Sequence, residues 1–185
     1  MFKKKEKVLL YGSNLWYLGE GMLGPLFAIF AERIGGNVLD ISWAWATYLF
    51  VTGIMFIFIG KLSDKEFKKE KLLVLGYFLN AIFTFSYLFV STTTHLLIVQ
   101  AGLGVALALA SPTWMSLYAK YEDKKHDGYA WGIFGGESYI FTAIAIIVGG
   151  LVVTFYSFTI LFIIMGIVQT MAAIYQAQIL RKKLK

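Results

Sequence analysis

Long apolar runs alternate with short polar islands along this chain, and the alternation predicts six helices. The runs cover residues 8–31, 41–62, 72–91, 95–119, 129–154 and 158–180. An apolar core of ~30 Å takes about 20 helical residues at roughly 1.5 Å each, so every run is long enough to cross a bilayer. The islands have turn compositions, such as Gly35-Gly36-Asn37, Thr92-Thr93-Thr94 and Phe155-Tyr156-Ser157. Trp43 and Trp45 fall near the start of the second run, where an aromatic belt sits. The first run follows a basic stretch, as in a signal peptide. Its length, its Asn14 and Glu20, and the lack of a small-residue cleavage site favour a retained helix. The expected fold class is an all-α membrane protein with six transmembrane helices in one domain over 1–185.

Composition agrees. Residues are 58% hydrophobic and only 15% charged, against roughly 25% charged in soluble domains, and mean hydropathy is +0.69. The net charge of +6 does not point to nucleic acid, because the bases gather at run ends and form no aromatic-interleaved patch. Cysteine is absent, which excludes disulfides and thiolate metal sites.

Charge placement sets the expected topology. Of the 17 Lys and Arg, all but Arg33 fall in the N-terminal cap, the islands after runs two and four, and the C-terminal tail. All four lie on one side of a six-span chain, and basic residues stay cytoplasmic, so both termini are expected inside. The bias is too strong for dual topology, and any homodimer is expected to be parallel. The two triplets of runs also echo one another. Pro25 and Pro112 each lie 17 residues after the start of their runs, at 8 and 95, as an inverted repeat would leave them.

The island from Gly60 to Lys71 joins a glycine, an aspartate four residues on, and bases directly after it. Gly60, Asp64, Lys65, Lys68 and Lys69 resemble the loop between the second and third helices of major facilitator superfamily transporters, with Phe67 where that pattern has a second glycine. Leu18-Gly19 followed by Pro25 resembles that family's first helix, with Leu15 in place of its usual aspartate and Asn14 beside it. Gln100 to Ala106 is similar to the fourth helix, with Leu97 in place of an arginine. Gly128 to Gly132 and Val148-Gly149-Gly150 resemble the two ends of the fifth. Ala145-Ile146 stands where antiporters carry Gly-Pro, which argues against a drug:proton antiporter.

The resemblance covers nearly the whole chain and implies one six-helix half, N-terminal-like, of a fold that pairs two halves about an axis along the membrane normal. It implies a secondary transporter of a small solute by alternating access, paired as a parallel homodimer or with a second six-helix half. The family and the short loops fit a multi-pass protein of the cell membrane, as in a bacterial inner membrane. The other reading is a non-transporting module, a truncated half or an accessory subunit bound to another membrane protein.

Glu20 and Glu137 are the acids well inside the runs, and no Lys or Arg lies there. Glu20 is ~18 Å deep by helical rise, where an unpaired charge costs about 3 kcal/mol or more. Ser13, Trp16 and Glu20 share a face, expected to line a substrate or proton pathway. The plainer reading is a protonated acid bonded to a neighbouring helix. Glu137 is ~12 Å from the inner boundary; Ala130, Ile133, Phe141 and Ile144 make its face apolar, so it needs a partner from elsewhere.

Gln100, Gly104, Ser111, Trp114 and Tyr118 form one stripe of the fourth run, suited to orienting a ligand or to helix–helix hydrogen bonds. Asn80, Thr84, Tyr87 and Ser91 form a similar stripe of the third run, assigned to packing. Gly128, Gly132 and Gly136, and likewise Gly102, Ala106 and Ala110, repeat every four residues, a spacing that lets helices approach closely. Asp64 and its lysines are expected to act as a cytoplasmic gating latch between halves. No nucleophile elbow, metalloprotease or phosphate-loop motif occurs, and neither a cofactor nor a metal is implied.

Overall fold

The computed structural model describes residues 4–65, 68–122 and 124–181, with the side chain of Lys65 outside that description. Phe67, the first three residues of the N-terminal cap and the C-terminal tail from Lys182 onward also lie outside it. All regular structure among the described residues is helical: α1 (Lys4–Gly21), α2 (Leu26–Arg33), α3 (Val38–Lys65), α4 (Lys69–Ser86), α5 (Thr93–Tyr121), α6 (Asp127–Phe155) and α7 (Phe158–Gln176). Short tighter turns carry α4 on to Phe89 and α7 on to Leu180.

Among the described residues, five stretches are long and apolar enough to cross a membrane, and they correspond to runs two to six. Run one differs: residues 8–31 do not form a single helix. Residues 22–25 form a turn, Pro25 caps α2, and the Phe27 amide donates to the Gly24 carbonyl at 3.2 Å. The cause is local. Proline has no N–H and its ring clashes with the carbonyl four residues back, while Gly21 and Gly24 weaken the helix around it. Pro112, preceded by the good helix former Ala108-Leu109-Ala110, lies inside an unbroken α5. The two prolines therefore do not share one local structure.

The starts of α3, α5 and α7 are held by polar side chains just ahead of them or in their first turn. Thr92 and Ser157 accept hydrogen bonds from the amides of His95 and Ile160, each at 3.3 Å. The Asn37 side chain accepts from Leu39 and Asp40 at 2.8 and 3.0 Å, after Gly35 has turned the chain at φ +86°.

Helix α5 packs on α3 and α4, α1 packs on α6 and α7, and α4 packs on α7. Small residues set these approaches. A Cβ on Gly76 of α4 would lie within 3 Å of the Ala106 carbonyl and the Ala110 amide of α5, and the Phe83 ring fills the space beside Gly102. Gly104 meets the Tyr48 carbonyl of α3, and Gly149 of α6 lies against the backbone of Met22 in the α1–α2 turn.

One apolar core, around Phe30, Tyr87, Phe158 and Phe162, fills the end near this turn, with Tyr87 and Phe162 stacked at 5.0 Å. A second, around Leu9, Leu73, Trp114 and Tyr118, fills the lysine-rich end. Helices α3 and α6 stay largely uncovered, with Ile57 76% and Tyr139 80% exposed. Trp43 and Trp45 are exposed near the start of α3.

Candidate functional site

The two acids well inside the runs are each held by side-chain amides that join α1 to other helices. Glu20 Oε1 accepts from Asn80 Nδ2 of α4 at 2.9 Å and from Gln169 Nε2 of α7 at 3.5 Å. The same Gln169 nitrogen donates to the Trp16 carbonyl at 3.0 Å. On the opposite flank of the helix, Asn14 Nδ2 donates to Glu137 Oε2 at 2.7 Å. The three amide partners were not singled out as partners from the sequence, since nothing in an apolar run says which neighbour a lone amide will face.

Two cavities flank these bonds. One, of about 60 Å³, lies between α1, α4, α5 and α6 and is lined by Ser13, Trp16, Tyr17, Tyr77, Ser111, Trp114 and Phe134 among others. The other, of about 110 Å³, lies nearer the α1–α2 turn and is lined by Glu20, Trp45, Tyr48, Thr84, Tyr87 and Gln100 among others. Both have room for water or a small ion. The face of Ser13, Trp16 and Glu20 is thus divided: the first two open on the aromatic cavity and Glu20 on the polar one. The stripe of α5 is divided the same way, Gln100 in one and Ser111 with Trp114 in the other. Tyr118 lines neither; it is fully buried, donates to the Ala130 carbonyl at 2.7 Å and stacks on Trp114 at 4.7 Å. Glu137 also lines neither. Tyr17, Tyr48, Tyr77 and Phe134 complete the walls and were not foreseen, because an aromatic in a membrane helix carries no mark of whether it faces lipid, core or cavity.

At the lysine-rich end, Lys69 Nζ lies 3.2 Å from Asp64 Oδ1 and donates to Ser116 Oγ at 2.7 Å, joining α3, α4 and α5. Lys5 donates to the Tyr121 hydroxyl at 3.2 Å, and that hydroxyl donates to Glu70 at 3.3 Å, joining α1, α5 and α4. Asp64 is thereby engaged within its own chain. Lys68 is exposed and precedes α4, and Gly60 has open space around it.

The two small-residue stripes part company. Gly102, Ala106 and Ala110 lie buried against α4, whereas Gly128, Gly132 and Gly136 are exposed with nothing within 4 Å of where a Cβ would stand. Among the described residues, no helix of this chain packs on these three glycines of α6. Nor does any group of three or more His, Cys, Asp or Glu among them come together as a metal site.

Compared with known proteins, residues 9–182 match the Major Facilitator Superfamily. The chain is also 30% identical over 157 residues to an uncharacterized MFS-type transporter of Methanocaldococcus jannaschii, a match covering 85% of this chain and 40% of that protein.

Proposed function

Because the chain belongs to the Major Facilitator Superfamily, a family of transporters rather than enzymes, we propose that it is one six-helix half of a secondary transporter. It is a multi-pass membrane protein. In this reading α1, the 22–25 turn and α2 together make the first crossing, ahead of the five apolar ones. The half moves a small solute by alternating access against a second half, a parallel homodimer being the simplest arrangement. The observation that carries the reading is the family match over almost the entire chain, combined with a span of only about 40% of the relative's length.

The contact pattern supports an inverted repeat. Exchanging α1, α3 and α4 for α5, α6 and α7 turns the α3–α5 contact into α6–α1 and the α4–α5 contact into α7–α1, and leaves α4–α7 unchanged. All of these contacts are substantial. Termini in the cytoplasm of a cell-membrane protein fit the lysine-rich end, where Lys5 and Lys69 gather. The uncovered faces of α3 and α6, with Gly128, Gly132 and Gly136, are the surface a second half would cover. Glu20 and Gln100 in one cavity, and Trp16, Ser111 and Trp114 in the other, are assigned to the solute or proton path. Glu137 and Tyr118 hold its walls, and the charged loop of Asp64, Lys65, Lys68 and Lys69 gates it.

Native mass spectrometry of the purified chain in lipid nanodiscs tests the pairing. A dominant dimer is expected. A strict monomer would remove the homodimer and leave transport dependent on a different half, and a monomer that binds another membrane protein without solute uptake would assign an accessory role.

A further inference from the structure

Five aromatic rings from four helices converge on the smaller cavity. Trp16 and Tyr77 meet edge to face at 4.7 Å, Trp114 and Phe134 lie 4.2 Å apart, and Tyr17 is 6.2 Å from Phe134. Ring faces carry negative potential and attract cations, most strongly when water is excluded. Trp16, Tyr77 and Trp114 are all buried, so the wall is both apolar and electron-rich. The Trp114 indole N–H is already committed to the Leu9 carbonyl at 3.1 Å, which removes one donor an anion would need.

The surrounding charge has the same sign. No Lys or Arg lies well inside a run, Lys61 standing at the very end of the second. One acid close by is Glu137, three residues beyond Phe134 on α6 and held toward α1 by Asn14, itself three residues before Tyr17; Lys69, bonded to Ser116 beside the lining Met115, is already paired with Asp64. Three residues are ~4.5 Å along a helix, so Glu137 stands about one turn along α6 from Phe134, and its partner Asn14 about one turn along α1 from Tyr17. Phe134 and Tyr17 are half-buried, and the wall opens where they and the exposed Met115 meet the surface.

We propose that the aromatic cavity between α1, α4, α5 and α6 takes the alkylated ammonium head of a small organic cation, the rest of which lies in the opening beside Tyr17, Phe134 and Met115, with Glu137 as its counter-charge. This gives the solute class of the site proposed above and rests on that reading.

The test measures radiolabelled choline binding to the full chain in nanodiscs, displaced by choline or by its neutral isostere dimethylbutanol. Saturable binding is expected, with the alcohol at least about tenfold weaker as a competitor. Phe134→Leu is expected to weaken choline binding by about fivefold while Phe134→Tyr retains it, since a ring face and not bulk is required. Glu137→Gln, which keeps an oxygen for Asn14, is expected to weaken choline binding without affecting assembly. Equal displacement by the alcohol, absence of saturable choline binding, or unchanged binding in Phe134→Leu would each overturn the proposal. Uptake by proteoliposomes separates the two readings. Choline bound but not moved keeps the cation site and removes transport, while uptake of neutral or anionic solutes without choline binding does the reverse.

Discussion

Asn14 of α1 and Glu137 of α6 stand 123 residues apart in sequence, and their polar atoms meet at 2.7 Å. A partly buried carboxyl that loses its donor costs about 1–3 kcal/mol. Asn14→Ala is therefore expected to lower the thermal midpoint of the purified protein. Glu137→Gln keeps an acceptor and is expected to lower it far less. Combining Asn14→Ala with Glu137→Leu should recover part of the loss, because neither member is then left unpaired. A double-mutant melting series checks this.

Glu20 separates structure from transport. Glu20→Gln preserves an acceptor for Asn80 and Gln169 and removes the titratable group. Normal folding with loss of solute uptake is expected. Glu20→Leu strands the Asn80 amide, while Gln169 keeps the Trp16 carbonyl, and should also lose about 1–3 kcal/mol of stability. Normal uptake by Glu20→Gln would make the residue purely structural.

Glycines of opposite surroundings make a second contrast. Gly76→Val drives a side chain into the backbone of α5 at Ala106 and Ala110, and overpacking of this kind costs roughly 1–3 kcal/mol. Gly132→Val meets open space and should leave the melting temperature of the chain unchanged. Reduced pairing of halves in nanodiscs is expected from Gly132→Val alone.

The Asp64 side chain is 72% exposed, and exposed ion pairs contribute about 0–1 kcal/mol. Asp64→Ala should accordingly express and assemble as wild type. Loss of uptake in that variant would identify a gating role for the Asp64–Lys69 contact, and unimpaired uptake would remove it.

Helix positions were legible because an apolar run bounded by lysines, glycines or a capping Ser or Thr has few other solutions. The sixth run, read from Phe158, starts where α7 does, and the fourth, read from His95, starts two residues after α5. Pro25 was read as a position within a span, yet with Gly21 and Gly24 beside it the helix gives way there. Helix faces were far less legible. In water the buried side of a helix is its apolar side, but lipid is as apolar as the core, so α6 gives no such contrast. Gly132 and Gly102 consequently look alike in sequence, and one faces outward while the other lies under the Phe83 ring. The split of Trp16 from Glu20 between two cavities depended on side chains of α4, α5 and α7, none of which is near either residue in the chain.

The polar load of α1 bears on how the chain is made. This helix is not among those apolar enough to cross a membrane unaided, and the partners of its Asn14 and Glu20 come 123, 60 and 149 residues later. Synthesis runs from the N-terminus at about 5–20 residues per second, so α1 emerges many seconds before Gln169 exists. Until Asn80 and Glu137 are made, its acid and amide have only water or lipid headgroups to bond. The helix made first is therefore expected to complete its packing only after α4 and α6 have followed it, and a nascent chain stalled before α4 to hold α1 at the membrane surface.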